Sequence, residues 1–168
     1  MRVSRKFFRK RKAFTPARRS LLSISKGVAM TDQIRIYLAS PYSHPDRLVK
    51  SLRYTRAVEA AAYLTSQGHH VFAPIAASHP VAECHELPGD FEYWRAWNYS
   101  FIDRWATHLY ILAIPGWDDS KGVCGEYDRA KGLHLGLCLM HPAEEGYLID
   151  EIEYPSTETL KGRMFKAA

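Results

Sequence analysis

Cysteine is scarce in this sequence, and its spacing matches no common framework. The three cysteines, Cys84, Cys124 and Cys138, form no CxxC pair and no zinc-ligand spacing. A small disulfide-stapled scaffold is therefore excluded, because such scaffolds contain many closely spaced cysteines. So few cysteines are typical of proteins from a reducing compartment, and we expect a cytoplasmic protein.

Long hydrophobic runs are also lacking. No apolar stretch approaches the roughly 18 residues that a membrane-spanning helix needs, so we expect no membrane partner. Hydrophobic residues make up 46% of the 168-residue chain and charged residues 24%, which is ordinary for a globular protein. That length suffices for one domain with its own hydrophobic core and falls short of two.

Acidic residues are absent from the first 30 positions, which hold ten Lys and Arg. The remainder holds 13 Lys and Arg against 18 Asp and Glu, so the net charge of +5 comes from the N-terminus. We predict a disordered basic extension over 1–30, with Met30 as an alternative start of translation, and a folded domain over 31–168. A nucleic-acid-binding tail over 1–29 and a mitochondrial-type targeting segment are the alternatives.

Short β-rich runs alternate with helical periodicity from Ile34 onward. Strands are predicted where such runs end at Gly or Pro, and helices where apolar residues recur every three to four positions. The predicted strands are 34–39, 69–75, 108–115 and 137–140, and the predicted helices run from the Asp46 cap to Gln67, over 91–105 and over 121–135. Residues 76–90 are predicted as a loop, and the tail from Pro142 as an edge element or an arm to a partner subunit.

This alternation predicts an α/β fold: a three-layer, Rossmann- or flavodoxin-like parallel sheet of four to five strands with helices on both faces. Polar loops broken by Gly or Pro, "SPYSHPD", "AASHPV" and "PGWDDSKG", follow three of the strands. Ligands of open parallel sheets bind beyond the carboxyl ends of the strands. The three loops are therefore expected to meet at one edge of the sheet and to form a site there.

Glu126 is the first candidate for chemistry at that edge. On a helix that begins near Lys121, it lies beside the apolar stripe, so we expect its carboxylate to be partly shielded from water and its pKa to be raised. Gly122 and Gly125, one turn before it, would let a ligand approach the backbone closely. A shielded carboxylate suits attack on an anomeric carbon. A surface glutamate that pairs with Arg129 is the alternative.

Ser120 precedes the same helix. Serine is a preferred N-cap, and a hydroxyl beside free backbone N–H groups also makes a phosphate site, so both roles stay open. Trp94 could stack on a nucleobase or belong to the core or a subunit interface, and Asn98, one turn later, could contact a base edge. No ligand cluster accompanies His79 or His85, so we expect no metal ion and no cofactor.

Three features together resemble the nucleoside 2-deoxyribosyltransferase superfamily, which includes nucleoside 5′-monophosphate N-glycosidases. They are "IYLASPYS", an Asp about 23 residues before a Glu, and "S-x-G-V-x-x-E-x-x-x-A". "PGDFEYW" and "PGWDDSKGV" resemble most closely the branch named DUF1937, which is often borne by phages. The resemblance covers roughly residues 34–141 and leaves out the basic N-terminus.

The resemblance implies a role for several residues. Glu126 would be the nucleophile that attacks C1′, Asp103 would help protonate the leaving base, and Tyr42 would orient the nucleophile or the sugar. Ser120 stands where the transferases tend to have Asp and the monophosphate hydrolases Ser, which favours a 5′-phosphate, although Asp119 precedes it. The hydrolases' Gly- and Arg-rich phosphate loop is replaced by "SPYSHPDR".

The resulting hypothesis is a homo-oligomeric enzyme that cleaves or exchanges the N-glycosidic bond of a nucleoside or nucleotide through a glycosyl-glutamate. The expected substrate-binding residues are Ser40, Ser43, Ser120, Asp119, Gly122, Trp94, Asn98 and His79. A catalytically silent nucleotide sensor, and a protein that binds nucleic acid through residues 1–29, are the alternatives.

Overall fold

The computed structural model describes residues 33–152. The basic extension over 1–30, Met30 and the tail beyond residue 152 lie outside the described residues, so the predictions made for them stay predictions. Within the described range, no helix is both long enough and apolar enough to cross a membrane. None of the three cysteines forms a disulfide.

The structure is an α/β fold with one five-stranded sheet, as the sequence predicted. The strands are β1 (Arg35–Ala39), β2 (His70–Phe72), β3 (His108–Leu112), β4 (Gly136–Pro142) and β5 (Tyr147–Glu151). The helices are α1 (Arg47–Ser66), α2 (Pro74–His85), α3 (Phe91–Arg104) and α4 (Lys121–Gly132). The strand order is β2-β1-β3-β4-β5, with β1 to β4 parallel and β5 antiparallel. That order is flavodoxin-like.

Alternating residues of the central strands form two cores, because successive side chains of a strand point to opposite faces. The face that packs with α3 and α4 contains Tyr37, Ala39, Leu109 and Ile111, and the opposite face, which packs with α1 and α2, contains Ile36, Leu38, Tyr110 and Leu112. Both central strands are therefore buried on both sides, which explains their continuous apolar sequences. The result is three layers, with helices on both faces of the sheet.

The prediction for residues 69–90 was confirmed for the second strand, which is shorter than expected, but wrong for most of the loop. The second strand covers only His70–Phe72, and α2 begins at Pro74 inside the predicted strand and continues through the predicted loop to His85. Proline is favoured in the first turn of a helix, where its missing N–H costs nothing. Pro80 obscured the pattern, because a proline inside a helix normally interrupts it. This helix matters for function, since α2 forms one wall of the site.

The sheet edge beyond β4 is closed by β5, which pairs antiparallel with β4 from Cys138 to Pro142. Of the two predictions for the tail from Pro142, the edge element is therefore confirmed. The strand order reverses between β1 and β3, which lie side by side although β2 and three helices separate them in sequence. A crevice at such a switch point is where open α/β sheets bind ligands. The loops after β1 and β3 meet there.

Candidate active site

A cavity lies at this switch point, beyond the carboxyl ends of β1 and β3. Its volume, including the open mouth and the solvent space there, is about 510 Å³. The loop after β1, helix α2, the start of α3 and the start of α4 supply its walls. The lining residues are Ser40, Tyr42, Ser43, Ile75, Ser78, Ala82, Gly89, Asp90, Phe91, Trp94, Asn98, Ser120, Gly122 and Glu126.

Glu126 forms the buried floor of this cavity. Its residue exposure is only 3%, and two donors from different elements hold one of its oxygens. The Tyr37 hydroxyl donates to Oε1 at 2.6 Å and the Asn98 side-chain amide donates to the same oxygen at 3.0 Å. Among the described residues no hydrogen bond reaches Oε2. The carboxylate is therefore fixed through one oxygen, while the other is left for a ligand.

Burial raises the pKa of Glu126 from 4.5 to about 7, because a charge is poorly solvated there. The hydrogen bonds from Tyr37 and Asn98 act in the opposite direction and favour the ionised form. The same interaction, added to burial, raises the pKa of Tyr37 well above its usual value, so this hydroxyl stays protonated and remains a donor. The shielding predicted for Glu126 is thus confirmed, and the alternative pairing with Arg129 is wrong.

The hydrogen bond to the expected nucleophile comes from Tyr37 and not from Tyr42. Tyr37 lies within β1, with its ring fully buried on the α4 side of the sheet. Tyr42 lines the cavity, but its hydroxyl is 2.7 Å from Nδ1 of His79. Sequence reasoning missed Tyr37 because the continuous apolar sequence of β1 marks it as core. The available signal was its hydroxyl, which needs a partner when buried.

Two buried polar atoms of the cavity have no protein partner among the described residues. They are Oγ of Ser40 and Oδ1 of Asn98, in residues that are 6% and 5% exposed. Leaving such atoms unpaired costs roughly 1–3 kcal/mol each, which a bound polar ligand would recover. Both residues were predicted to bind substrate. Asn98 in addition holds Glu126, a contact that sequence spacing did not indicate.

At the start of α4, Ser120 caps the helix, as the sequence predicted, whereas the two glycines have a role that the sequence did not indicate. The Ser120 hydroxyl caps the helix by accepting from the Val123 N–H at 3.4 Å, and it also faces the cavity. A Cβ on Gly122 would lie 3.3 Å from the Phe91 ring, and one on Gly125 would lie 3.1 Å from the same ring. The glycines therefore make room for the aromatic ring of α3, and only Gly122 also lines the cavity.

An outer groove continues from the cavity toward solvent. It shares Ser43, Ser120 and Gly122 with the cavity and adds, among others, Asp119, Lys121, Glu92 and Arg53. Arg53 of α1 holds the two loops together, because it donates to the carbonyls of Ser43 at 2.8 Å and Pro115 at 3.0 Å. Gly116 is required beside it: its φ is +88°, and a Cβ would lie 2.5 Å from the guanidinium. Acidic and basic side chains both face this groove.

Asp103 does not reach the cavity. Its two oxygens accept from Nε and Nη2 of Arg129, both at 2.7 Å, on the outer side of the contact between α3 and α4. The hydrogen bond from Arg129 lowers the pKa of Asp103, so this carboxyl holds no proton near neutral pH. The carboxylate that was expected beside the leaving base is thus part of a structural ion pair outside the cavity. Asn98, five residues earlier in α3, is the side chain that meets Glu126.

The aromatic residues of α3 divide between site and core. Trp94 lines the cavity and donates from Nε1 to the Pro88 carbonyl at 2.7 Å, so its ring is fixed there. Trp97 instead packs edge-on against Phe72 and Phe101. Trp94 therefore belongs to the cavity wall, and its stacking on a nucleobase stays a prediction.

His79 is outside the cavity lining, directly behind Tyr42. Its ring stacks on Tyr54 with centroids 4.1 Å apart. Within residues 33–152, no group of three or more His, Cys, Asp and Glu side chains is arranged to hold a metal ion.

The sequence matches the family described as "Domain of unknown function (DUF1937)" over residues 34–140. The chain belongs to this family. The matched range contains β1 to β3, most of β4 and all four helices, and hence every residue that lines the cavity. No curated protein matches the chain.

Proposed function

We propose that this member of the DUF1937 family cleaves or exchanges the N-glycosidic bond of a nucleoside or nucleoside 5′-monophosphate, with Glu126 as the nucleophile. The observation that carries the proposal is the Glu126 carboxylate: it is buried at the floor of a cavity, fixed through Oε1 and unbonded at Oε2. The resemblance to the nucleoside 2-deoxyribosyltransferase superfamily supports the same assignment. We therefore infer that the family is a branch of that superfamily.

The reaction follows the double displacement of retaining glycosyl transfer. Oε2 of Glu126 attacks C1′, an ester bond forms between them, and the N-glycosidic bond breaks as the base leaves with the electron pair and takes up a proton. Water or a second base then attacks C1′ from the opposite side, gives up a proton and releases the carboxylate. With a pKa of about 7, Glu126 is ionised in about half of the molecules near neutral pH.

The walls of the cavity suggest how the substrate lies. The end formed by α2 and the start of α3 is largely apolar and aromatic, with Ile75, Ala82 and Trp94, and suits a base. The opposite end has Ser120 at the start of α4, where backbone N–H groups favour an oxygen-rich or anionic group. The 5′ end of the sugar would point there. Asp119 and Lys121 in the adjoining groove oppose each other in charge, so both 5′-hydroxyl and 5′-phosphate substrates belong in the test.

The deciding experiment is a panel of ribo- and deoxyribonucleosides and their 5′-monophosphates, scored for free base with and without an added acceptor base. Glu126→Gln should release no base, whereas Glu59→Gln, an exposed glutamate of α1 paired with Arg56, should match the wild type. Unchanged release by Glu126→Gln would refute the nucleophile. Binding without release by the wild type would favour the nucleotide-sensor alternative.

Trapping the intermediate tests the covalent step directly. Enzyme denatured during turnover and digested with trypsin should yield a peptide over 122–129, between Lys121 and Arg129, that carries the added mass of the sugar on Glu126. The corresponding peptide of Glu126→Gln should carry none. Turnover with no sugar on this peptide would argue for direct displacement by water.

A further inference from the structure

We propose that Tyr42 donates the proton that the leaving base takes up, and that His79 resupplies Tyr42. The inference rests on the proposed function and adds to it the general acid that Asp103 was expected to provide. It stands on Tyr42, which lines the cavity and whose hydroxyl lies 2.7 Å from Nδ1 of His79.

The cavity lining restricts the choice of acid. Its ionisable side chains, within the part of the chain that the structure describes, are Tyr42, Asp90 and Glu126. Glu126 is the nucleophile. Asp90 caps α3, accepting from the Tyr93 N–H at 3.0 Å, and it is exposed. Of these three residues, only Tyr42 is both half-buried in the cavity wall and in contact with a second group that can supply a proton, His79.

His79 is held so that it can serve Tyr42. Its ring lies between Tyr54 of α1, on which it stacks at 4.1 Å, and Tyr42, whose ring it meets edge-on at 5.6 Å. The charged group that acts on Tyr42 is Glu83 of α2, which is itself 3.8 Å from Arg47 of α1. Burial, followed by the negative charge of Glu83, raises the pKa of Tyr42, so the phenol holds its proton until a base accepts it.

Tyr42 also lies at the end of the cavity that suits the base. Its ring is against Gly89, where a Cβ would be 3.6 Å from Cε1 of Tyr42, and Gly89 belongs to the same wall as Trp94. Ser120, at the 5′ end, is on a different element. A donor on this wall would meet the departing nitrogen and not the sugar.

The proton balance closes over one turnover. As the bond between C1′ and the base breaks, the Tyr42 hydroxyl gives its proton to the base, and Nδ1 of protonated His79 returns one to the phenolate. When water, or an acceptor base bearing an N–H, attacks C1′ on Glu126, the proton that it loses restores the imidazolium. His79 acts through Tyr42 and is thus a positioning residue, whereas Tyr42 is catalytic.

The test compares leaving groups that need a proton with ones that do not. Tyr42→Phe and His79→Gln should lower kcat/KM for the best purine substrate by about 10²-fold, a typical general-acid contribution. Both variants should stay close to the wild type on the 7-methylated form of that substrate, whose cationic base leaves as a neutral molecule. For a pyrimidine enzyme, the 4-nitrophenyl glycoside of the same sugar replaces it. His85→Gln, an exposed histidine of α2, is the matched control.

The dependence on the leaving group separates the pair from a structural role, because a distorted site would slow the cleavage of both kinds of substrate alike. Equal losses on both kinds of leaving group, in variants that unfold at the wild-type temperature, would overturn the pair while leaving Glu126 as nucleophile. Cleavage of neither substrate by the wild type would overturn the proposed function and the pair with it.

Discussion

Two of the contacts between helices α3 and α4, an inner point and an outer point, use similar side chains differently. At the inner point, Asn98 of α3 meets Glu126 of α4, buried beside the sheet. At the outer point, Asp103 of α3 meets Arg129 of α4, where solvent reaches both. One carboxylate is held by neutral donors and the other by a cation.

Burial and the sign of the partner explain the contrast. Loss of hydration raises the pKa of Glu126 to about 7, whereas the hydrogen bond from Arg129 lowers the pKa of Asp103. A buried carboxylate without a cation beside it has a raised pKa, which is common among catalytic groups, because no positive charge stabilises its ionised form. An exposed ion pair is a structural contact of small energy. Glu126 at the inner point is therefore a candidate for catalysis, whereas Asp103 and Arg129 at the outer point only hold the two helices together.

The largest expected effect is on activity at the inner point. Glu126→Gln keeps the shape of the side chain but removes its nucleophilicity, so kcat should fall by at least about 10³-fold. Asp103→Asn, measured by the same base-release assay, should differ little from the wild type. If Asp103→Asn abolished activity while Glu126→Gln did not, the assignment of the two carboxylates would be reversed.

The next effect is on stability as a function of pH. Because the folded-state pKa of Glu126 is raised, from 4.5 to about 7, the native state binds more protons than the unfolded state between these values. The contribution of Glu126 is fully present below pH 4.5 and is lost as the pH rises through 7. The loss is of the order of 3 kcal/mol.

Urea unfolding of the wild type and Glu126→Gln at pH 4.5 and pH 8 measures this loss, because glutamine does not titrate. The free energy of unfolding of the wild type should drop relative to that of the variant across the interval. Asp103 is the opposite case. Because its pKa is lowered, it stabilises the folded state at pH values above its usual pKa, and this stabilisation is lost as the pH falls. Asp103→Asn should remove that dependence on pH. A difference between wild type and Glu126→Gln that does not change with pH would show that the carboxylate is well solvated.

A smaller effect is expected from the hydrogen bond that holds the nucleophile. Tyr37→Phe removes the donor to Oε1, which should lower kcat/KM about tenfold, the value of one hydrogen bond to a charged group. The ascending limb of the pH–rate profile should also move to higher pH, because the ionised form loses support. Tyr99→Phe, whose hydroxyl donates to the Gly125 carbonyl at 3.1 Å on the same pair of helices, should shift neither.

The smallest effect belongs to the outer ion pair. A double-mutant cycle with Asp103→Asn and Arg129→Gln should give a coupling energy below about 1 kcal/mol, decreasing as salt is added. Thermal unfolding at two salt concentrations measures it. A coupling of several kcal/mol, insensitive to salt, would mean that the outer point is as shielded as the inner one.

Much of the fold could be predicted because its signals are local. Apolar runs, helical periodicity and the caps at Asp46 and Ser120 lie within a few residues of the elements that they define, and both caps are made as expected. α2 was missed for a local reason too, since Pro80 is a helix breaker in most contexts. Pro80 nevertheless lies inside α2, at an exposed position of the helix that Pro74 starts.

The contacts of the candidate site could be predicted less well from local patterns. The resemblance and the helical stripe both pointed to Glu126, but the spacing that suggested Asp103 as its partner describes distance along the chain. Around an α-helix, five residues correspond to more than one turn, about 500° at 100° each. Asn98 and Asp103 therefore face different directions on α3, and only packing against α4 decides which one meets Glu126.

The sequence by itself determined the parallel sheet, the two helical layers and a carboxylate beside an apolar stripe, because hydrophobic periodicity and caps act over one or two turns. Only the tertiary structure decided that Tyr37 and Asn98 hold Glu126, that Tyr42 faces His79, and that Asp103 pairs with Arg129. These contacts join residues 26 to 89 positions apart. They depend on which helix face is buried and how the strands are ordered, and no local pattern specifies that.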